Sequence, residues 1–271
     1  MTLSKQKTCS NTIAFVFLCL LSAIFLIPIL LVLLNSFKSR LYISSSPFAM
    51  PNSETFVGFE NYLNGLSSSG FFISFVRSVW VSIASVLVII VCTSMASWFI
   101  VRVKNKFTKA IYFLFAFSMI VPFQMVMYTM TFVVNRISFD NVFGIVFVYL
   151  GFGAGLSVFM FTGFVKAVPL EIEEAAEIDG CNPLQTFFLV VFPILKPTII
   201  TVSILNSMWV WNDYLLPYLI LGTDHKTVPV AIQIAMQGAY GATDYGGFMA
   251  MLVLAIIPIV IFYIASQKYI I

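Results

Sequence analysis

Five carboxylates within nine positions, from residue 171 to residue 179, are the side chains of this sequence best suited to polar chemistry. They are Glu171, Glu173, Glu174, Glu177 and Asp179. Charged residues make up only 9% of the chain, so this segment differs strongly from its surroundings. Grouped carboxylates form ion pairs and charge-assisted hydrogen bonds with basic groups. We therefore predict that the segment binds a partner.

A short helix is predicted to carry these carboxylates. Pro169 suits a first helical turn, where its missing N–H is not needed, and Gly180 is placed to end the helix in a left-handed conformation. The predicted small and apolar face consists of Ile172, Ala175, Ala176 and Asp179. The side chains predicted to point elsewhere are Glu173, Glu174 and Glu177. A helix of about ten residues is unstable alone, so packing must hold it.

A second helical element is predicted after the acidic helix. Asn182 can cap it and Pro183 can open it, and it would run through Leu184–Phe192. Pro193 and Pro197 are expected to kink the chain before the next apolar stretch. Together the two elements predict an amphipathic hairpin at the cytoplasmic membrane interface. A solvated acidic loop is the alternative interpretation.

The composition places these elements in a membrane protein. Hydrophobic residues make up 61% of the chain and the mean hydropathy is +1.02, which excludes a soluble protein. A spanning helix needs about 20 apolar residues. Six stretches meet this need, at 13–34, 76–101, 109–134, 142–165, 198–221 and 246–267. The predicted fold is an all-α polytopic protein with one domain over 1–271 and a cytoplasmic loop at 166–195.

Basic residues in the loops orient the chain. With the N-terminus inside, nine lysine and arginine residues lie in the cytoplasm, and five lie outside or near the outer interface. This distribution predicts that both termini and the acidic segment are cytoplasmic. The basic residues follow the membrane topology, and nothing in the sequence indicates binding of nucleic acid.

The fifth stretch contains an acid at Asp213, and such groups usually face a bundle interior or a water-filled cavity. Aromatic and amide side chains surround it, and a sugar ring presents C–H faces to aromatic rings and hydroxyls to polar groups. The predicted solute path consists of Trp209, Trp211, Asn212, Asp213 and Tyr214. Two alternatives are open. The aromatic residues can form an outer interfacial belt, and Asp213 can pair with Arg77 or close a helix.

Three other patterns predict local structure. The outer loop Asn35–Gly70 is rich in Ser, Pro and Asn, and its tracts at 44–47 and 65–70 are predicted to be irregular. In the last outer loop, Val228–Met236 is predicted to form a short helix. Gly151 and Gly155 have the G-x-x-x-G spacing of closely packed helices.

The segment Glu174-Ala-Ala-x3-Gly180-x9-Val190-Val-Phe192-Pro193 resembles the EAA loop of ABC importer permeases, whose pattern is E-A-A-x3-G-x9-I-x-L-P. Val190 and Phe192 replace Ile and Leu, and both keep the apolar character. A second segment, Trp211-Asn-Asp-Tyr-Leu-Leu-Pro217, resembles the W-N-[DE]-[FY]-L segment of maltose-transporter-like carbohydrate permeases. The resemblance covers nearly the whole chain.

The resemblance implies a permease subunit of a sugar importer, and it favours an oligosaccharide as the solute. The implied partners are a second permease subunit, two cytoplasmic ATPase subunits, an extracellular solute-binding protein and membrane lipid, in a bacterial or archaeal plasma membrane. The implied ATPase contact consists of Glu173, Glu174, Ala175, Ala176, Glu177, Asp179, Gly180 and Pro193. The implied binding-protein contact consists of Gln237, Gly238, Ala239, Tyr240 and Gly241.

The sequence has no G-x-x-x-x-G-K-[ST] motif, so a P-loop of its own is excluded. ATP and Mg²⁺ are therefore expected in the partner ATPase subunits, with no cofactor or metal bound by this chain and no enzymatic activity of its own. Two alternative functions are open. One is a secondary transporter driven by an ion gradient, and the other is an assembly protein that recruits a partner without transport.

Overall fold

The computed structural model describes residues 2–236 and 243–269. Within these residues the chain is helical, and the only β-type pairing is an isolated bridge between Lys38 and Phe56. The apolar sequence forms helices because the hydrocarbon core of a membrane has no water to hydrogen-bond the backbone. In a helix the backbone N–H and C=O groups bond to one another instead. The predicted all-α fold is confirmed.

Most of the helices follow one another with short connections. The helices are α1 (Thr2–Asn35), α2 (Arg40–Ser45), α3 (Glu60–Ser69), α4 (Phe71–Arg102), α5 (Lys106–Ser118), α6 (Phe123–Arg136), α7 (Gly144–Val165), α8 (Leu170–Ile178), α9 (Pro183–Gln185), α10 (Phe192–Ile194), α11 (Lys196–Asn212), α12 (Leu215–Leu221), α13 (Val228–Met236) and α14 (Tyr245–Ser266). A longer connection, residues 46–59, joins α2 to α3. A π-helical turn, Thr186–Val191, joins α9 to α10, and a 3₁₀ turn, Gln267–Tyr269, follows α14.

Four helical segments of the described chain are long and apolar enough to cross a membrane by themselves: Ala14–Asn35, Phe71–Arg102, Gly144–Val165 and Tyr245–Ser266. Two bent pairs of helices raise the number to six if each pair is one span. Lys106–Ser118 and Phe123–Arg136 form one pair, with a bend of 108°, and Pro183–Ile194 and Lys196–Asn212 form the other, with a bend of 77°. The chain is therefore a multi-pass membrane protein.

Two predicted spans differ from the observed helices. The stretch 109–134 is not one helix, because α5 ends at Ser118 and α6 begins after Pro122. Proline has no backbone N–H to donate and disfavours helical geometry in the residue before it, which accounts for the break. The stretch 198–221 is also interrupted, since α11 ends at Asn212 and α12 begins at Leu215.

The connection between α1 and α4 is more ordered than its composition indicates. The prediction of an irregular tract at 65–70 is wrong, because α3 continues to Ser69, and α2 extends to Ser45 within the other tract. Lys38 is fully buried there, and its Nζ donates hydrogen bonds to the carbonyl oxygens of Ser46 at 3.0 Å and Pro47 at 3.3 Å. Burial lowers the pKa of Lys38. The predicted helix Val228–Met236 is confirmed as α13.

The described chain groups into two compact units. One comprises residues 1–71 and 232–257, and the other comprises residues 72–231 and 258–271. The second unit contains two clusters of buried apolar side chains, one around Phe161 and Phe187 and the other around Tyr149 and Leu216. The first cluster lies beneath the acidic segment, and the second lies beside Asp213. The single domain over 1–271 stays a prediction.

Candidate functional site

Helix α8 has well-defined ends. Pro169 precedes it in an extended conformation (φ −58°, ψ 136°), and the helix begins at Leu170. At its end, the Cys181 N–H donates to the Ala176 carbonyl and the Gly180 N–H donates to the Glu177 carbonyl, both at 3.0 Å. Gly180 adopts a φ of +85°, so the end is a Schellman motif. The predicted end at Gly180 is confirmed, whereas Pro169 lies one residue before the helix rather than in its first turn.

Glu173 attaches α8 to the body of the second unit. It is only 5% exposed, and its Oε1 accepts hydrogen bonds from Arg102 Nε at 2.9 Å and Arg102 Nη2 at 2.6 Å. Its Oε2 accepts one from Trp98 Nε1 at 2.9 Å. The prediction that Glu173 points away from the packed face is therefore wrong. Its charge is neutralised within the chain, which fixes the orientation of α8.

Arg102 makes a second connection to the same loop. Its Nη2 also donates to the carbonyl oxygen of Val168 at 2.9 Å. A guanidinium group holds several N–H donors in one plane, so a single arginine can bind a carboxylate and a backbone carbonyl together. Because Arg102 is the last residue of α4, the start of the acidic segment is tied to the end of that long helix.

The remaining side chains of α8 divide between a buried and an exposed side. Ala176 is buried beside Glu173, so it is not part of the exposed surface with Ala175. The exposed predicted coupling residues are Glu174, Ala175, Glu177, Asp179 and Gly180. Ile178 is 86% exposed and is not among the predicted coupling residues. An exposed face that mixes carboxylates with a large apolar side chain is suited to a protein contact.

The segment after α8 anchors the site in the core. The Asn182 side chain accepts from the Gln185 N–H, and the Gln185 side chain accepts from the Asn182 N–H, both at 2.9 Å. This capping box confirms the predicted helix start. Phe187, Val191 and Leu195 are fully buried in the cluster around Phe161.

The second element of the predicted hairpin contacts α8, and the position of the hairpin at the membrane interface stays a prediction. The second element is a helix of mixed α and π geometry that packs into the core, and it joins α11 at a bend of 77°. Prolines at 193 and 197 flank this bend, so the predicted kink is confirmed. Pro193, the last of the predicted coupling residues, is exposed and lies in α10 rather than on α8.

Asp213 closes one helix and opens the next. It follows the last residue of α11, and its Oδ1 accepts from the backbone N–H groups of Leu215 at 3.0 Å and Leu216 at 3.4 Å, in the first turn of α12. Its Oδ2 accepts from the Tyr149 hydroxyl at 3.2 Å. Arg77 instead donates to the Lys226 carbonyl at 2.9 Å. Of the alternatives for Asp213, the helix end agrees with the structure and the pairing with Arg77 does not.

The other predicted solute-path residues surround this break without converging on one point. Trp209 packs edge-on against Tyr149, with ring centroids 5.4 Å apart, and Tyr214 stacks on Tyr218 at 5.4 Å. Asn212 is exposed, and its side chain donates to the Met208 carbonyl at 2.7 Å. Trp211 alone of the five lines a cavity of about 310 Å³, whose walls also include Ser82, Ser203 and Ser207.

The predicted binding-protein contact at Gln237, Gly238, Ala239, Tyr240 and Gly241 lies outside the described residues. Within the described part of the chain, no three His, Cys, Asp or Glu side chains are grouped as metal ligands.

Comparison with known proteins identifies the family of the chain. The family described as binding-protein-dependent transport system inner membrane component matches residues 89–271. A probable starch degradation products transport system permease protein of Thermoanaerobacterium thermosulfurigenes is 34% identical over 249 residues, which cover 92% of this chain and 89% of the relative. A multiple sugar-binding transport system permease protein of Streptococcus mutans is 35% identical over 251 residues, which cover 91% and 88%.

The fold also has a solved counterpart. A chain of a bacterial ABC transporter involved in the import of the acidic polysaccharide alginate superposes with a TM-score of 0.81 at 19% identity, and the match covers 100% of this chain and 99% of that one. This similarity establishes the fold, and the sequence matches establish the family. The chain belongs to the family of inner membrane components of binding-protein-dependent transport systems, as its sequence motifs predict.

Proposed function

We propose that this chain is the permease subunit of an ATP-driven, binding-protein-dependent sugar importer, in which α8 transmits the closure of ATPase subunits to the membrane helices. One observation carries the proposal. Glu173 is buried and bound by Arg102 and Trp98, whereas Glu174, Ala175, Ile178 and Asp179 are exposed on the same short helix. One side of α8 is thus attached to the chain, and the other is open to a partner.

The contacts of α8 provide a route for movement. Arg102 links it to α4, and Val168 packs in the same cluster as Val165 of α7. Beyond α8, Phe187 and Leu195 pack in this cluster with Val202 of α11. Because protein interiors are close-packed and resist compression, a force on α8 moves these helices rather than being absorbed locally. Helix α11 leads from this cluster to Trp211 and Asp213.

The solute path is proposed to include Trp209, Trp211, Asn212, Asp213 and Tyr214, with Trp211 as the residue that meets the solute. An indole ring offers a flat apolar face to the C–H groups of a sugar, and the cavity that Trp211 lines is largely apolar. The names of the two relatives refer to starch degradation products and to multiple sugars. These names support a sugar as the solute.

The proposed assembly contains a second permease subunit, two cytoplasmic ATPase subunits that bind ATP and Mg²⁺, and an extracellular solute-binding protein. Both termini would lie in the cytoplasm of a bacterial or archaeal cell. The loop that contains residues 237–241 is proposed to contact the binding protein. Family membership supports the presence of a binding protein in the system.

An ion-gradient-driven secondary transporter is the alternative function. That mechanism needs an acidic group free to bind and release an ion in the membrane. Asp213 is the acid that the sequence places within a span, and its oxygens are engaged by Leu215, Leu216 and Tyr149. A carboxylate used as a helix cap is poorly suited to ion exchange, which favours the ATP-driven proposal.

A site-specific crosslink tests the proposed contact. A photo-reactive amino acid at Ala175, on the exposed side of α8, is expected to capture an ATP-hydrolysing subunit in membranes. The same group at Leu114, which is also exposed but lies within the apolar helix α5, is expected to capture none. If membranes active in ATP-dependent uptake yield no ATPase crosslink from Ala175, the coupling proposal is wrong.

A further inference from the structure

A second cavity lies at the C-terminal end of α4, where Arg102 is the last helical residue. It is separate from the exposed face of α8 and from the proposed solute path. Its volume is about 600 Å³. Its walls come from the end of α4, the start of α5 and the end of α7, with Leu170 of α8 at one edge. A cavity of this size accommodates part of an organic molecule rather than a single ion.

Four cationic side chains line this cavity: Arg102, Lys104, Lys109 and Lys166. Arg102 is paired with Glu173, but within the described chain no carboxylate oxygen lies within 4.0 Å of the other three ammonium groups. Lys166 Nζ instead lies 5.9 Å from the centre of the Tyr112 ring. The cavity therefore carries excess positive charge that its own walls do not neutralise.

The cationic side chains and the apolar wall of the cavity lie at different positions along the helices. Arg102 is the last residue of the spanning helix α4, and Lys166 directly follows the spanning helix α7. Lys109 lies in the first turn of α5, and Phe113 lies one turn further along the same helix. Phe113 is 71% exposed, so an open apolar wall lies one helical turn from Lys109. The position of Arg102 and Lys166 at the ends of two spanning helices indicates that the positive charges lie near a membrane surface.

We propose that this cavity is a binding site for an anionic glycerophospholipid. The phosphate would lie among Lys104, Lys109 and Lys166, and an acyl chain would lie along Phe113. Basic pockets between membrane helices at the surface bind anionic headgroups in this way, since the phosphate is attracted to the cations and the acyl chain stays in hydrocarbon. The assignment rests on the cavity alone and is independent of the transported solute.

Lipid binding by the purified full-length protein, with whatever subunits co-purify, tests the proposal. Phosphatidylglycerol and phosphatidylcholine are titrated separately, and bound lipids are counted by native mass spectrometry. The double variant Lys104→Gln/Lys109→Gln is expected to bind its tightest phosphatidylglycerol roughly tenfold more weakly, with phosphatidylcholine binding unchanged. The charge-preserving variant Lys104→Arg/Lys109→Arg is expected to keep the affinity.

A matched control separates a defined site from general attraction to positive charge. Lys106→Gln/Lys196→Gln removes the same charge from exposed lysines that do not line the cavity, and it is expected to leave the tightest binding unchanged. Equal loss in both double variants would overturn the proposal. Displacement of the lipid by soluble glycerol phosphate would also overturn it, because the site would then recognise a free anion. If Lys104→Gln/Lys109→Gln lost binding of both lipids and was no longer monodisperse, the variant would be misfolded. The variant Lys104→Arg/Lys109→Arg would then decide: retained phosphatidylglycerol binding supports the site, and lost binding overturns it.

Discussion

Glu173 concentrates the attachment of α8 in a single side chain. One carboxylate accepts N–H groups from Arg102 and Trp98, two residues that are four positions apart on α4. Charge-assisted hydrogen bonds are about twice as strong as neutral ones, and burial increases the cost of losing either partner. The orientation of the exposed carboxylates of α8 therefore depends on the buried carboxylate of Glu173.

Glu173→Gln is expected to lower the free energy of unfolding by about 2–3 kcal/mol, because Arg102 would face a neutral amide in a largely buried position. The value lies low in the usual range because 20% of the Arg102 side chain is exposed. Thermal unfolding of the purified protein measures the loss. Glu174→Gln is the matched control, since Glu174 is exposed, and it should leave the transition unchanged. Equal shifts in both variants would refute the role of Glu173.

Asp213 provides a test between a structural acid and a charge needed for transport. Asn caps helices about as well as Asp, and the Tyr149 hydroxyl can accept from an amide as well as donate to a carboxylate. Asp213→Asn is therefore expected to retain uptake, whereas Asp213→Leu removes the cap and costs about 1 kcal/mol or more. Uptake assays with both variants decide. Complete loss of uptake in Asp213→Asn would mean that the negative charge itself is required.

Sequence reasoning located these residues but not their partners. The type and spacing of the residues from Pro169 to Gly180 predicted α8, its end at Gly180 and, to within one residue, its start, because these are local properties. Arg102 and Glu173 are 71 positions apart, and nothing local in either segment indicates that they meet. The predicted orientation of Glu173 failed for that reason: a tertiary ion pair overrode the apolar face that periodicity indicated.

The ends of α8 fix where its exposed face lies. Gly180 has a φ of +85°, and a Cβ added there would meet no atom within 4 Å. Any cost of substitution therefore comes from backbone conformation rather than from crowding. Because a left-handed residue with a side chain costs about 1–2 kcal/mol, and Asn is tolerated best, substitutions at this position can be ranked.

Gly180→Val is expected to loosen the end of α8 and to reduce the stimulation of ATP hydrolysis by solute-loaded binding protein. Gly180→Asn is expected to stay close to the unsubstituted protein, since Asn adopts the left-handed conformation at lower cost. ATPase assays in proteoliposomes measure the ratio of stimulated to basal hydrolysis. Equal stimulation in the Val and Asn variants would show that the Schellman end is not needed for coupling.

The glycines of α7 show where the helix spacing rule holds and where it does not. A Cβ at Gly155 would lie 2.7 Å from Met119 Cγ and 2.9 Å from the Phe115 backbone oxygen, so this glycine permits the close approach of α5. At Gly151 a Cβ would meet nothing within 4 Å. The G-x-x-x-G spacing therefore identified one packing glycine, because the other faces open space.

This difference gives a matched pair of variants on one helix. Gly155→Ala is expected to destabilise the protein, since the backbone of α5 must shift. Gly151→Ala is expected to be neutral or stabilising by up to about 1 kcal/mol, because alanine favours a helix more than glycine does. Thermal unfolding of both purified variants measures the effects. The packing argument fails if Gly155→Ala is as stable as Gly151→Ala.

Composition predicted the membrane-spanning class of the whole molecule, and the sequence offered a helix end at Asp213, whereas the break before Pro122 was not predicted. Hydropathy averages over about 20 residues, so it registers apolar length but not the break at Pro122 or the cap at Asp213. The number of spans is four, or up to six if each bent pair of helices counts as one span. The range arises because hydropathy does not show whether an apolar stretch is a single helix. The backbone hydrogen bonding of a helix is interrupted between α5 and α6 and between α11 and α12, so these are the positions at which a change of helix direction needs the fewest broken hydrogen bonds.

The source of energy for uptake distinguishes the proposed importer from an ion-driven carrier. In proteoliposomes that contain the complete complex, uptake of the solute is expected to require ATP on the side of α8 and to continue when an ionophore collapses the ion gradients. Glu174→Lys reverses an exposed charge on α8 and is expected to abolish uptake, because it would repel a basic group of the ATPase. Glu54→Lys makes the same charge change at an exposed site on the connection between α2 and α3 and should leave uptake intact. Uptake that stops with the ionophore and ignores ATP would instead support the ion-driven alternative.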